Sequence, residues 1–524
     1  MYDILIKNGT VINGTGRLFA ADVGIKNGKI TAVSPSVRKP AKKIVDASGL
    51  CVTPGFIDFH SHNDRVLLNK APSIAKITQG ITTEVTGQCG LSAVPYLSGR
   101  DPEEKDMLLG KSDRPLPCLW KNYIRLLEAS PLITNVIPLV GQGNIRSLVV
   151  GFENRPARKN EITRMKDIVT EIMETGCWGM STGLIYPPGI FTPLNEIISL
   201  AGIVAGCGGI YTSHIRGEGE TLFPALKEIL SVGEKAGVPV HVAHMKATGP
   251  SNWNKTDRAL RMLYEAREKG IDVTYDQYPY TASSTTATAL LPPWMHEGGQ
   301  EKLIAKLTDK AERKRARESI EKPGGEKWQN WLFYGPERII INQVKSRRNR
   351  KYEGKNLVAI AEMTGRDPIE SAFDLLVEEH GSVTMTVLSM CEKSVRRIMK
   401  QKIGFVGTDG LPGRRPHPRL WGTFTRILGK YVREEKVLTL DEAVYKFSRA
   451  PVEKLKLKGR GEIKEGNAAD IVIFDADRVK DMATYENPNR RSKGIEYVLV
   501  NGKPAVEKGK LTGVRSGRLL LRGD

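Results

Sequence analysis

No apolar run reaches the roughly 18 residues that a membrane-spanning helix needs, so no membrane span is expected. The chain also opens without the unbroken apolar core of a secretory signal. MYDILIKNGTVINGTG alternates apolar and polar residues and then turns. A cytoplasmic location is the expectation that follows. Cysteine is sparse: Cys51, Cys89, Cys118, Cys177, Cys207 and Cys391 make six in 524 residues, with no CxxC pair. That excludes a disulfide framework and leaves buried thiols or single metal ligands. The basic runs at Lys310–Arg317 and Lys345–Lys351 are not interleaved with aromatics. The formal charge of +20 is therefore read as solvated surface, and no nucleic-acid partner is expected. Histidine is scarce too, with eight in the chain, which makes any close pair of them informative.

What is present is a core-forming composition, 40% hydrophobic, on a chain too long for one ordinary compact core. DILIKNGTVI and ADVGIKNGKITAV alternate about turns near the start. ADIVIFD and YVLVNGKPAV repeat that pattern near the end. The two ends are expected to form one β-sandwich with the middle inserted between them. The middle alternates strand-like runs with helical stretches, and eight strands are predicted. They are Val52–His60, Thr82–Thr86, Thr134–Val140, Cys177–Ser181, Gly209–His214, Val238–His244, Asp272–Tyr278 and Gly404–Thr408. Eight such strands suggest an α/β fold of the (β/α)8 TIM-like barrel type. Between the last two lie more than a hundred residues, of which His296–Glu326 reads as a charged helical stretch. The expected division is 1–54 and 451–524 for the sandwich, 55–293 and 346–450 for the barrel, and 294–345 for an insertion over the barrel mouth. Such an insertion reads equally well as an active-site lid or as a solvent-facing ornament.

The strongest local signal is GFIDFHSH, in which an apolar strand runs into His60-x-His62. Residues i and i+2 of a strand face one side, so both imidazoles are expected to point toward the barrel axis. His214 in YTSHIRGEGE, His244 in VPVHVAHMKATG and Asp409 in GFVGTDG also fall at the C-terminal ends of predicted strands, where barrel chemistry gathers. His241, three residues before His244, is expected to face away and pack against a helix. Many two-metal barrels use a carboxylated lysine from the fourth strand, but CWGMSTGLIYPPG contains none. The second strand instead ends TEVTGQCGLSAVP, placing Cys89 at the rim, and a thiolate is a good zinc ligand.

At this point several segments resemble one family. GFIDFHSHNDRVL, QGITTEVTGQCGLSAVP, STGLIYPPG, YTSHIRGEGE, AHMKATG, YDQYPYTASST, TDGLP with HPRLWGTFTRILGKYVRE, and RGEIKEGNAADIVIFD are similar to the D-aminoacylase (N-acyl-D-amino-acid deacylase) family. The likeness runs from the first barrel strand to the C-terminal β module. The resemblance implies zinc, with Cys89, His214 and His244 holding a tight ion. It implies that His60, His62 and Asp409 hold or border a second, weaker position, with Asp409 the catalytic acid/base. It further implies that Lys246, Tyr278 and Arg419 contact the carboxylate of an N-acyl-D-amino acid. The segment from Asp409 to Arg419 is a residue shorter than expected of the family and carries Arg414 and Arg415. A cyclic-amide hydrolase of the dihydroorotase or hydantoinase kind, a D-dipeptidase and a non-enzymatic relative remain as alternatives. The missing fourth-strand lysine weighs against the first of these, and the full ligand set against the last.

Overall fold

Eight short parallel strands stand where the alternating pattern expects them: Phe56–Asp58, Ile81–Thr86, Asn135–Pro138, Gly179–Gly183, Ile210–His214, Val240–Val242, Val273–Gln277 and Gly404–Val406. The computed structural model describes residues 1–70, 74–97, 107–113, 115–322, 328 and 330–523. Strands one to three hydrogen-bond in order, and strands four to eight do likewise. Two seams close the ring. At one, Val140 pairs with Met180, and Trp178 N–H donates to Pro138 O at 3.1 Å. At the other, Phe59 N–H donates to Val406 O at 3.2 Å, and Asp409 N–H donates to His60 O at 2.9 Å. Ile57, Phe59, Val85, Ile137, Ile210 and Phe405 share one buried cluster from strands around the ring. The helices outside follow the 3.6-residue period; Lys159–Glu174 buries Met165, Val169, Ile172 and Met173 along one stripe.

The run expected as one strand, Val52–His60, serves two sheets. Cys51–Pro54 belongs to the terminal sheet and Phe56–Asp58 to the barrel. Gly55 sits at the change of partner, where a Cβ would lie 2.1 Å from Thr82 Oγ1. Any larger residue would push the first barrel strand off the second. The terminal sheet has nine strands from both chain ends, joined where Cys51–Pro54 runs antiparallel to Ile471–Phe474. Its alternation divides two cores. Ile471 and Ile473 pack with Ile4, Val11 and Val23 of the N-terminal part, whereas Val472 and Phe474 pack with Phe424 and Phe447 on the helices beside the barrel.

The insertion between strands seven and eight has its own core and its own antiparallel sheet, Ser283–Thr286, Val383–Val387 and Ile339–Val344 in that order. It therefore runs past the expected 294–345 on both sides. The run SSTT lacks the apolar alternation by which a strand is recognised, so its entry strand carries no local signal. Helices Gln300–Thr308 and Lys310–Glu321 fill the charged stretch, of which residues 323–326 lie outside the described residues. The entry strand reaches the barrel mouth: Thr285 Oγ1 meets the Tyr186 hydroxyl at 2.7 Å, and Arg419 Nη2 donates to Ser284 O at 3.0 Å. No helix among the described residues is long and apolar enough to cross a membrane.

Candidate metal centre

His60 and His62 follow the first strand, Cys89 the second, His244 the sixth and Asp409 the eighth, while His214 is the last residue of the fifth. Barrel closure brings all six together, every one buried. Cys89 Sγ lies 3.3 Å from His60 Nε2, 3.5 Å from His244 Nε2 and 3.8 Å from His214 Nδ1. Asp409 Oδ1 lies 3.1 Å from His62 Nε2 and 3.5 Å from His60 Nε2. The donor atoms of His60, Cys89, His244 and Asp409 all fall within 4.8 Å of one another, as do those of His214, Glu218 and His244.

Three of these residues carry backbone strain. Cys89, His244 and Asp409 have φ of 54°, 37° and 48°, the left-handed region that side chains with a Cβ seldom adopt. Such conformations cost about 1–2 kcal/mol each and persist where surrounding structure holds them. At Cys89 the neighbour does the holding. Gly90 packs so closely on the fourth strand that a Cβ there would meet Gly183 N at 2.5 Å. The turn also explains a correction. His241 does not pack against a helix. Its ring lies 4.4 Å from that of Phe59 and 5.4 Å from that of Phe405, and its Nε2 meets Asp276 Oδ2 at 3.0 Å. The strand ends at Val242, so two-residue alternation does not extend to His244.

Two acids absent from the sequence reading orient the ligands. Asp276 Oδ2 accepts from His60 Nδ1 at 3.1 Å as well as from His241, which turns His60 Nε2 to the centre. Glu218 pairs with Lys246 and with His244 Nδ1, the latter at 3.1 Å, leaving His244 Nε2 for Cys89. Partners of this kind fix which nitrogen a histidine presents. The available signal was a carboxylate amid apolar strand residues, VTYDQ, and another four residues after His214. Burial pushes the Cys89 thiol up, but the imidazoles of His60 and His244 outweigh it and hold the thiol well below its usual range. Burial likewise opposes ionisation of Asp409, and the guanidinium of Arg419 prevails and holds that carboxyl well below the ordinary value.

The residues expected to bind substrate line one side of this cluster. Arg419 Nη1 pairs with Asp409 Oδ2 at 2.8 Å, and its guanidinium lies 4.5 Å from the Tyr278 ring centre. Lys246 Nζ reaches His244 Nδ1 at 2.8 Å and lies 5.8 Å from the same ring centre. The Tyr278 hydroxyl, Arg419 Nε and His62 Nδ1 are buried without a hydrogen-bond partner. Orphaned buried polar atoms of this sort mark a place built for a ligand. The donor set fits zinc: a buried thiol held toward thiolate, imidazole nitrogens and a carboxylate converge on one small volume.

The amidohydrolase family matches residues 43–506. The chain is 34% identical to the D-aminoacylase of Alcaligenes xylosoxydans xylosoxydans, over 99% of this chain and 98% of that protein. It is 36% identical to the N-acyl-D-glutamate deacylase of the same organism, over 99% and 96%. The structure superposes with a TM-score of 0.86 on the N-acyl-D-glutamate deacylase of Bordetella bronchiseptica, 34% identical over 99% of both chains. That enzyme was solved with zinc and a phosphonate inhibitor that mimics the tetrahedral intermediate.

Proposed function

The chain belongs to the amidohydrolase family, and from that premise we propose that its rim site hydrolyses N-acyl-D-amino acids to a carboxylate and a free D-amino acid. The observation that carries this reading is one buried cluster in which the thiol–imidazole set and the Asp409–Arg419 pair share a wall with Tyr278 and Lys246. Cys89, His214 and His244 would hold zinc tightly, and His60, His62 and Asp409 would hold or border a weaker second position. When bound there, zinc polarises the acyl carbonyl and makes water more acidic.

The chain's own groups do the rest. Asp409, ionised and fixed through Oδ2 by Arg419, takes a proton from the attacking water at Oδ1 and returns it to the departing amine nitrogen. Arg419, through its unpartnered Nε while Nη1 holds Asp409, binds the α-carboxylate together with Lys246 and the Tyr278 hydroxyl. With carboxylate and carbonyl both pinned, only one hand of the α-carbon directs its side chain into open space. The test compares kcat/KM for an N-acyl-D-amino acid, its L enantiomer and the N-acyl amine without the carboxylate, all with the same acyl group. Each lost charged hydrogen bond is worth about 1.5–3 kcal/mol, or roughly 10- to 100-fold. The D substrate should lead both others by at least one such step. Equal rates on all three would remove the assignment.

A further inference from the structure

A cavity of about 240 Å³ has Tyr186, which packs on the metal-centre residue His214, as one of its walls. It is many times the roughly 10–15 Å³ that holds a single water. Leu91, Tyr96, Leu97, Leu108, Phe152 and Tyr186 provide its walls. It adjoins the centre through Tyr186. Leu91 lies two residues beyond Cys89, and the Tyr186 ring packs edge-on against that of His214 at 5.2 Å.

Its position round the barrel sets what can enter. Leu91 follows the second strand, Asn144 and Ser147 lie on the helix after the third, and Tyr186 follows the fourth. Lys246, Tyr278 and Arg419 follow the sixth, seventh and eighth strands. In a ring of eight strands the third stands opposite the seventh. The substrate is linear in the order carboxylate, α-carbon, amide, acyl chain. With the carboxylate toward the seventh strand and the amide at the ligand cluster, the acyl chain points toward the third. The α-carbon's side chain branches off on the carboxylate side of the amide and takes another path.

The polar side chains of Asn144, Ser147 and Tyr186 in the cavity are already engaged. Asn144 Oδ1 accepts from Ser92 N, and its Nδ2 donates to Ser92 O and Pro95 O. Ser147 Oγ donates to Asn144 O, and the Tyr186 hydroxyl is paired with Thr285. No charged side chain is among the described residues that line it. A charged acyl group would lose its water there with nothing in exchange.

We propose that this cavity is a subsite for the acyl chain, and that the enzyme prefers uncharged, apolar acyl groups longer than acetyl. The inference rests on the deacylase reading given above. The experiment measures kcat/KM of the zinc-loaded enzyme for the N-acetyl, N-butanoyl, N-hexanoyl and N-succinyl derivatives of one D-amino acid. Each buried methylene is worth about fourfold, so hexanoyl should exceed acetyl by on the order of 10²-fold, with succinyl well below butanoyl. Ser147→Trp, which fills the cavity from a half-exposed helix position, should abolish the chain-length advantage and leave the N-acetyl rate within a few-fold of wild type. Calorimetric binding of the slowly cleaved L enantiomers should show the same length dependence. Rates that are flat or fall with chain length, or a Trp variant that keeps the full advantage, overturn the subsite while the deacylase reading stands. No cleavage of any N-acyl-D-amino acid, whatever its acyl group, overturns the deacylase reading and the subsite with it.

Discussion

At the C-terminal end of the barrel strands, Cys89, His244 and Asp409 sit in left-handed backbone, and His62, Tyr278 and Arg419 each carry a buried polar atom without a hydrogen-bond partner. At the other end of the same strands Lys454, Lys446 and Trp178 have their buried polar groups satisfied. Lys454, on the helix Arg449–Leu455 beneath the barrel, donates to Val240 O at 3.0 Å and to Asp272 O and Oδ1 at 2.9 Å. Lys446 donates to Gln401 O and Gly404 O, and Trp178 Nε1 donates to Leu520 O at 2.7 Å. Burial pushes both lysine ammonium groups down to about 8, yet each is spent on backbone carbonyls where strands begin. The floor uses buried charge to complete hydrogen bonds. The rim leaves buried groups incomplete and tolerates strain, as sites that await a ligand do. Substitutions at the two ends should therefore differ in kind as well as in size.

The largest effect is expected at Cys89. Cys89→Ala keeps a Cβ in the same left-handed conformation, so the fold should survive. It removes the sulfur that three imidazoles face, and with it the tight metal and nearly all turnover. Metal analysis of the purified variant beside its kcat checks both. Stoichiometric zinc with wild-type turnover would make Cys89 a packing residue and erase the contrast with the floor.

Asp409→Asn comes next. Asn accepts left-handed backbone more readily than most residues, so the turn should hold. Loss of the proton-transfer group should lower kcat by about 10²–10⁴-fold, with at least one zinc retained. A variant within a few-fold of wild type would take Asp409 out of its role.

The smallest effect on catalysis is expected from Lys454→Met. It leaves buried carbonyls of Val240 and Asp272 without their donor, at a cost of about 1–3 kcal/mol. The denaturant midpoint should fall while kcat and KM stay at wild-type values. A Lys454 variant that lost activity without losing stability would show that floor and rim are coupled, and the division between them would fail.

Much of this was legible in the chain. Strand-like runs alternating with helical stretches marked the eight barrel strands, and strand ends marked His60, His62, Cys89, His214, His244 and Asp409. Both signals are local, because a strand's facing and its end are written in a handful of neighbouring residues. The rest depends on contacts that no local pattern encodes. His62 and Asp409 are 347 residues apart and meet only because the ring closes. Asp276 and Glu218 gain their roles from the histidines that closure sets beside them. His241 was misplaced because the turn after Val242, held in left-handed backbone at His244 by its surroundings, breaks the alternation on which the reading relied. The insertion's entry strand, Ser283–Thr286, was invisible for a related reason: its strand character comes from pairing with Val383–Val387 about a hundred residues later, not from its own side chains. The sequence by itself determined the barrel and the kinds of atom at its rim. Tertiary closure decided how those atoms face one another, since a ligand's direction is set by the backbone turn and the acid behind it, and both are held by residues distant in the chain.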